Sequence, residues 1–176
     1  MAVMQLEDFY DYKNKFMEHI LTNEKIVSLL SEKDEDGNDI YTLENSKELM
    51  YKQVFPFLYV PETVHDGCTY VCCDVDVQEA PDKTFYEAVI YVWVFAHRSR
   101  LRLPNGEGVR TDKICSEIAK TINGSREYGL GELDFYMTKR FAPVSDYDGK
   151  QMFFYATEFN RQYNPNKYTP ANRKGR

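Results

Sequence analysis

Apolar side chains recur along two segments of the chain with the spacing of one helix face. In residues 5–21 the stripe consists of Leu6, Phe9, Tyr10, Phe16, Met17, Ile20 and Leu21. This spacing predicts an amphipathic helix, and TNEKIVSLLS after it predicts a short second helix capped by Thr22 or Asn23. The second stripe, Ile114, Ile118 and Ile122, predicts another helix. We expect Thr111 to cap its start and Asn123-Gly124 to end it.

Five segments show strand patterns. Residues 69–77, TYVCCDVDV, alternate between apolar and polar positions, as a half-buried strand does. Residues 85–97 form a longer strand without charge from 88 to 96. Residues 53–60 contain a proline, which favours an edge position, and residues 132–142 and 151–159 predict a closing pair of strands.

Two details of the closing pair follow from the same patterns. Asp148-Gly149 is a hairpin turn signal, so we expect the chain to turn there. Simple alternation places Leu133, Phe135, Met137 and Phe141 on one face of the first strand.

The long strand needs cover on both faces. Its even positions, Ala88, Ile90, Val92 and Val94, are small aliphatics that accept packed helices. Its odd positions include Tyr91, Trp93 and Phe95, for which we find no cover within the chain. Contiguous exposed apolar area usually marks an interface, so we expect another copy of the chain to cover these three side chains.

The order of these elements predicts an α+β fold: a mostly antiparallel sheet of about four to five strands with helices packed on one face. The length of 176 residues fits one domain, which we place at residues 1–160. Residues 161–176 are polar and predict an extended C-terminal arm. Its basic side chains include Arg161, Lys167, Arg173 and Lys174.

Composition narrows the cellular setting. No stretch approaches the roughly 20 apolar residues of a membrane span, and the acidic start, MAVMQLEDFYDYK, does not resemble a signal peptide. Four cysteines without an export signal indicate a reducing compartment. We therefore expect the protein to be made, and to stay or assemble, in a cytoplasm.

Charge divides the chain into two unlike halves. Residues 1–97 hold 19 acidic and 7 basic side chains, a net of −12, and residues 98–176 hold 9 acidic and 15 basic ones, a net of +6. One half therefore repels nucleic acid and the other tolerates it. Unlike halves also favour head-to-tail association of identical copies.

No set of residues predicts a catalytic, metal or cofactor site. Cys72 and Cys73 are adjacent in a strand and point to opposite faces, so they do not suit one metal ion. The stretches DEDGND and DYDGK place their glycine at the fourth position, which does not fit a calcium-binding loop. Asp74 and Asp76 share a strand face, which suits a solvated surface or an ion pair across a subunit boundary. We expect no enzymatic activity and no cofactor.

The basic loop after the long strand is the strongest candidate for a binding site. Arg98, Arg100 and Arg102 fall on one side of an extended segment, a spacing that suits a row of phosphates, and Arg110 follows in the same loop. The alternative is a solvated loop, or one that pairs with acidic side chains of a neighbouring copy. The residue pattern leaves both open.

The order helix, strands with one long apolar member, helix and closing pair resembles the tail-terminator or neck-terminator proteins of tailed bacteriophages. The resemblance covers about residues 5–160, and FFYATEFNRQYNP after DYDGK looks like the C-terminal region of neck proteins in contractile-tailed phages. It implies a ring, usually a hexamer, that caps the tail tube, joins it to the head-side connector and lets DNA pass through its lumen.

The resemblance also implies partners and a location. The partners are further copies of the chain, the tail tube protein and a head–tail connector or stopper protein, with the sheath as a further candidate. The location is the virion neck, assembled in the host bacterial cytoplasm. Tight phosphate contacts in the lumen hinder sliding DNA, so contact between rings suits Arg98, Arg100 and Arg102 better. The alternatives are another head- or tail-completion protein and a nucleic-acid-binding accessory domain.

Overall fold

The computed structural model describes residues 8–60, 67–79, 86–128 and 132–156. The predicted arm at residues 161–176, with Arg161, Lys167, Arg173 and Lys174, lies outside the described residues. The same is true of the start of the helix predicted over residues 5–21 and of the end of the strand predicted over 151–159.

Both predicted helical stripes form helices. The helices are α1 (Asp8–Thr22), α2 (Glu24–Leu30), a single turn α3 (Arg98–Leu101) and α4 (Arg110–Ile122). Asn23 caps α2, and its side chain accepts hydrogen bonds from the backbone N–H groups of the next turn. The prediction of Thr111 as the cap of α4 is wrong, because that helix begins one residue earlier and buries Thr111 in its first turn.

The described residues form a sheet of five strands. They are β1 (Val54–Phe55), β2 (Thr69–Glu79), β3 (Tyr86–His97), β4 (Leu133–Phe141) and β5 (Tyr147–Ala156). Their order across the sheet is β1-β2-β3-β5-β4. β1 runs parallel to β2 and every other neighbouring pair is antiparallel. The predicted α+β fold and the edge position of the proline-containing segment are confirmed.

One face of the sheet carries the main core. The even positions of β3 pack under α1, α2 and α4, as predicted, and Ile114, Ile118 and Ile122 of α4 are fully buried there. Burying an aliphatic side chain of this size contributes roughly 1.5–3 kcal/mol. The helix layer is therefore held to the sheet by the stripes that the sequence shows.

The turn between β4 and β5 lies earlier than predicted. Asp148-Gly149 is not the turn, because β5 already begins at Tyr147 and Gly149 pairs with Phe95 and Phe141 inside the sheet. The chain reverses over residues 142–146, where the Tyr147 N–H donates a hydrogen bond to the Val144 carbonyl at 3.1 Å. The requirement for glycine at position 149 comes from its neighbours in the sheet.

A β-bulge divides β4. The register shifts between Phe135 and Met137, so one extra residue, Tyr136, opposes the neighbouring strand. Leu133 lies in the helix-covered core, whereas Phe141 packs on the opposite face. The prediction that these side chains share one face is wrong, because the bulge inverts the alternation halfway along the strand.

No helix in the described part of the chain is long and apolar enough to cross a membrane.

Candidate functional site

The second face of the sheet is aromatic, and one half of it is closed by the chain itself. A second buried cluster contains Phe55, Tyr70, Cys72, Trp93, Phe95 and Tyr147. Tyr59 stacks on Phe55 at 4.3 Å between ring centroids and reaches Tyr70 at 5.5 Å. The segment that follows β1 therefore folds back over this half of the face.

The expectation that Tyr91, Trp93 and Phe95 lack cover within the chain is wrong for two of them. Trp93 is 8% exposed and Phe95 is fully buried. The rings of Tyr70, Phe141 and Tyr147 contact Phe95, and the ring of Phe141 also contacts Trp93. Single-strand alternation does not reveal this cover, since it comes from rings on three other strands, β2, β4 and β5. Tyr91 remains half-buried.

The other half of the aromatic face is more open. Tyr91 stacks beside Trp93 at 5.8 Å and meets the edge of Phe153 at 5.4 Å. The bulge in β4 brings Tyr136 against Tyr155 at 4.9 Å, and Tyr136 is 63% exposed. Burial, followed by the nearby Asp76 carboxylate, raises the pKa of Tyr91. Sequence reasoning missed Tyr136 because a bulge leaves no clear signal in the pattern.

Asp74 and Asp76 lie on this aromatic face, as the alternation predicts, but they differ in their partners. Asp74 forms an ion pair with Lys13 of α1. Asp76 is exposed and forms no ion pair with any described residue. Asp76 is therefore the acid of this pair that is available for an external contact, and the role of both in an interface stays a prediction.

The predicted row of arginines does not form. Arg98 to Leu101 is a helical turn rather than an extended segment, so Arg98, Arg100 and Arg102 do not share one side. Arg100 turns toward α2, donating to the Ser31 carbonyl at 3.3 Å and pairing with Glu32 at 3.4 Å. One basic side chain of the second half of the chain is thus already paired with an acid of the first half.

Arg110 also directs its side chain to partners within the chain. Its guanidinium donates to the Leu29 carbonyl at the end of α2 and to the Arg100 carbonyl, the latter at 2.9 Å. Burial, followed by the neighbouring Arg100, lowers the pKa of Arg110. Arg98 and Arg102 remain exposed at this end of the sheet, so the basic site that the sequence predicts is reduced to these two arginines.

The four cysteines are free thiols, and two of them are buried. Among the residues that the structure describes, no group of three or more His, Cys, Asp or Glu side chains is placed to hold a metal ion. Cys72 and Cys73 are buried on opposite faces of β2. Burial raises the pKa of Cys72 to about 12 and also raises that of Cys73.

These thiols provide a test of the closed half of the aromatic face. We expect iodoacetamide at pH 8 to modify the half-exposed Cys68 first and to leave Cys72 and Cys73 unmodified in the folded chain. A rise in thiol pKa from 9.0 to about 12 lowers the thiolate fraction about a thousandfold. Peptide mass spectrometry reads the result, with a guanidinium-unfolded sample as control. Labelling of Cys72 as fast as Cys68 contradicts a closed cluster.

Fold and surfaces together define a small α+β sheet protein with one helix-covered face and one aromatic face that is closed over only part of its area. The chain belongs to the YomW family, a Bacillus phage-associated family whose model matches residues 23–156. The match includes every strand of the sheet. No curated protein matches the chain.

Proposed function

We propose that this phage-family protein is a structural virion component that forms a ring at the phage neck, where it caps the tail tube and joins it to the head-side connector. In this proposal it has no catalytic role. Its partners are further copies of itself, the tail tube protein and a head–tail connector or stopper protein, and the sheath is a further candidate. DNA passes through the lumen without specific binding.

The family supports a phage role, and the two unlike edges of the sheet support a ring. At one edge, Phe135 and Tyr136 of β4 are 40% and 63% exposed. At the other, β1 is two residues long, and Phe57, Leu58 and Val60 after it are 46%, 38% and 40% exposed. Exposed apolar side chains at both edges favour contacts between proteins.

Because the two edges differ, identical copies associate through them head to tail. Such a heterologous contact closes into a ring when the rotation between neighbours divides a full turn. This asymmetry of the edges is the observation that carries the proposal. The exposure of Arg98 and Arg102 at one end of the sheet supports their contact with an adjacent ring.

The test is the mass of the purified chain, measured by light scattering and native mass spectrometry, alone and with tail tubes of a phage that encodes a protein of this family. We expect a closed homo-oligomer, usually a hexamer for a ring of this kind, either free or on the tube end. A chain that stays monomeric with tail tubes present contradicts the proposal.

The same preparation separates the ring position from its alternatives. Cross-linking to tube-side proteins supports a tail cap, whereas cross-linking only to portal-side proteins makes the chain a head-completion protein. Salt-sensitive DNA binding that disappears in an Arg98→Ala, Arg102→Ala double variant favours a nucleic-acid-binding accessory domain. Unchanged DNA binding in that variant, or none at low salt, removes this last alternative.

A further inference from the structure

The outer edge of β4 is closed along its first part and open along its second. The Leu133 N–H donates to the Ser125 carbonyl at 3.0 Å, and the Phe135 N–H donates to the Asn123 side chain at 2.7 Å. Beyond the bulge, from Met137 to Phe141, no backbone partner lies along the outer side within the described ranges. An open strand edge is a template for pairing with another strand.

The opposite edge of the sheet has an open segment of matching length. β1 pairs only with Val71 and Cys72, whereas β2 continues to Glu79. Along residues 74–78 of β2, no strand among the described residues occupies the outer side. This segment contains the exposed Asp76, and the segment of β4 contains the exposed Lys139.

We propose that residues 137–141 of one copy pair with residues 74–78 of the next copy and continue the sheet from subunit to subunit. This inference rests on the proposed function, whose head-to-tail contact it specifies. The strand directions support it. Each step from β2 through β3 and β5 to β4 is antiparallel, so β2 and β4 run in opposite directions. A sheet continued across the boundary therefore brings β4 beside the next β2 in antiparallel orientation.

The charges set the register. The Lys139 ammonium lies over the Phe153 ring, 5.3 Å from its centroid, and therefore on the aromatic face, where Asp76 also lies beside Tyr91. Placing Lys139 opposite Asp76 of the next copy makes a cross-strand pair of opposite charge. The partner that matches the open edge of β4 in charge is thus the β2 edge of a second copy of the chain.

This register staggers neighbouring copies. Within one chain, Lys139 lies in the same row across the sheet as Cys72, because Lys139 pairs with Gln151, Gln151 with Trp93, and Trp93 with Cys72. A next copy added without any shift along the strands would place its Cys72 in that row. Because the proposed register places Asp76 there instead, the next copy is shifted by four residues, about 13 Å along the strand at the usual rise. Closing a sheet into a barrel requires a stagger of this kind. A ring of copies joined in this way leaves neither open segment exposed.

The test uses two charge reversals, Lys139→Glu and Asp76→Lys. Each single variant places like charges across the contact, so we expect its self-association to weaken about tenfold or more. The double variant restores the opposite charges within every contact and should associate like the original chain. An equimolar mixture of the two single variants should also reassociate, because alternating copies then meet through opposite charges in both contacts.

Light scattering over a range of concentrations reads association, and circular dichroism confirms that each variant is folded. Lys47→Glu is the matched control, because Lys47 is exposed and lies outside both strand segments. Association that survives both single variants overturns the strand pairing but leaves the proposed function standing. Failure of both the double variant and the mixture to reassociate also overturns it. Loss of tail-tube binding alone, with self-association intact, assigns the edge to another protein. A monomeric original chain, with tail tubes present, rejects both.

Discussion

Replacing Gly149 by alanine is expected to lower the free energy of unfolding by about 3 kcal/mol, the upper part of the usual range for overpacking. A methyl group at this position would lie 2.0 Å from the Val94 carbonyl oxygen and 2.5 Å from the Phe95 Cα. Both are atoms of the neighbouring strand, which cannot swing aside as a flexible side chain does. The variant must therefore separate β5 from β3 at the centre of the sheet.

The strand beside Gly149 explains why this position is so close-packed. Phe95 and Phe141 are the partners of Gly149 on its two sides, and their rings meet edge to face at 5.6 Å. The Val94 carbonyl and the Cα and Cβ atoms of Phe95 occupy the space that a side chain at position 149 needs.

Thermal and urea unfolding measure the effect, and a loss of 3 kcal/mol in a chain of this size lowers the Tm by roughly 6–12 °C. Gly67→Ala is the control, because its new methyl group meets nothing closer than 3.6 Å. Equal stability of Gly149→Ala and the original chain would mean that the strands are further apart than described.

Gly149 also shows what the sequence predicts and what it does not. An Asp-Gly pair signals a turn because glycine adopts positive φ without strain. Glycine is equally required where a neighbouring strand leaves no room for a Cβ atom, and only the tertiary contacts separate these two reasons. The sequence predicts the closing pair of strands, but it places the turn between them at Asp148-Gly149 instead of at residues 142–146.

The sequence predicts best those elements in which apolar residues recur with a regular period and form one continuous buried face. The stripe of α4 and the even face of β3 contact each other as expected, because both are long apolar surfaces with a single way to be buried. The face of β4 was predicted wrongly because one inserted residue, Tyr136, reverses the alternation. A bulge depends on the neighbouring strand and leaves no local pattern.

The candidate site was predicted only in part for a similar reason. Tyr91 and Asp76 do lie on one face of the sheet, as strand period alone requires. The cover over Phe95 comes from Tyr70, Phe141 and Tyr147 on three other strands, which a single-strand pattern cannot assign to that face. The basic loop has no period at all, so charge was its only signal, and charge does not distinguish an exposed arginine from one that caps a helix.

Arg110 provides the decisive case, and we expect Arg110→Ala to lower the free energy of unfolding by about 2 kcal/mol, the usual cost of losing hydrogen bonds to a charged group. Its guanidinium satisfies the Leu29 carbonyl at the C-terminal end of α2 and the Arg100 carbonyl of the α3 turn. A helix end buried without such a donor leaves carbonyl groups unpaired.

The control is Arg102→Ala, which removes the same charge from an exposed position and should change stability by less than about 0.5 kcal/mol. Urea unfolding of both variants measures the difference. Arg110→Lys should recover only part of the loss, because an ammonium group lacks the fork that reaches two carbonyls at once. If both alanine variants are equally stable, Arg110 is not holding α2 against α3, and its charge is available to a partner as the sequence first indicated. If they differ as expected, the external charge at this end of the sheet belongs to Arg98 and Arg102.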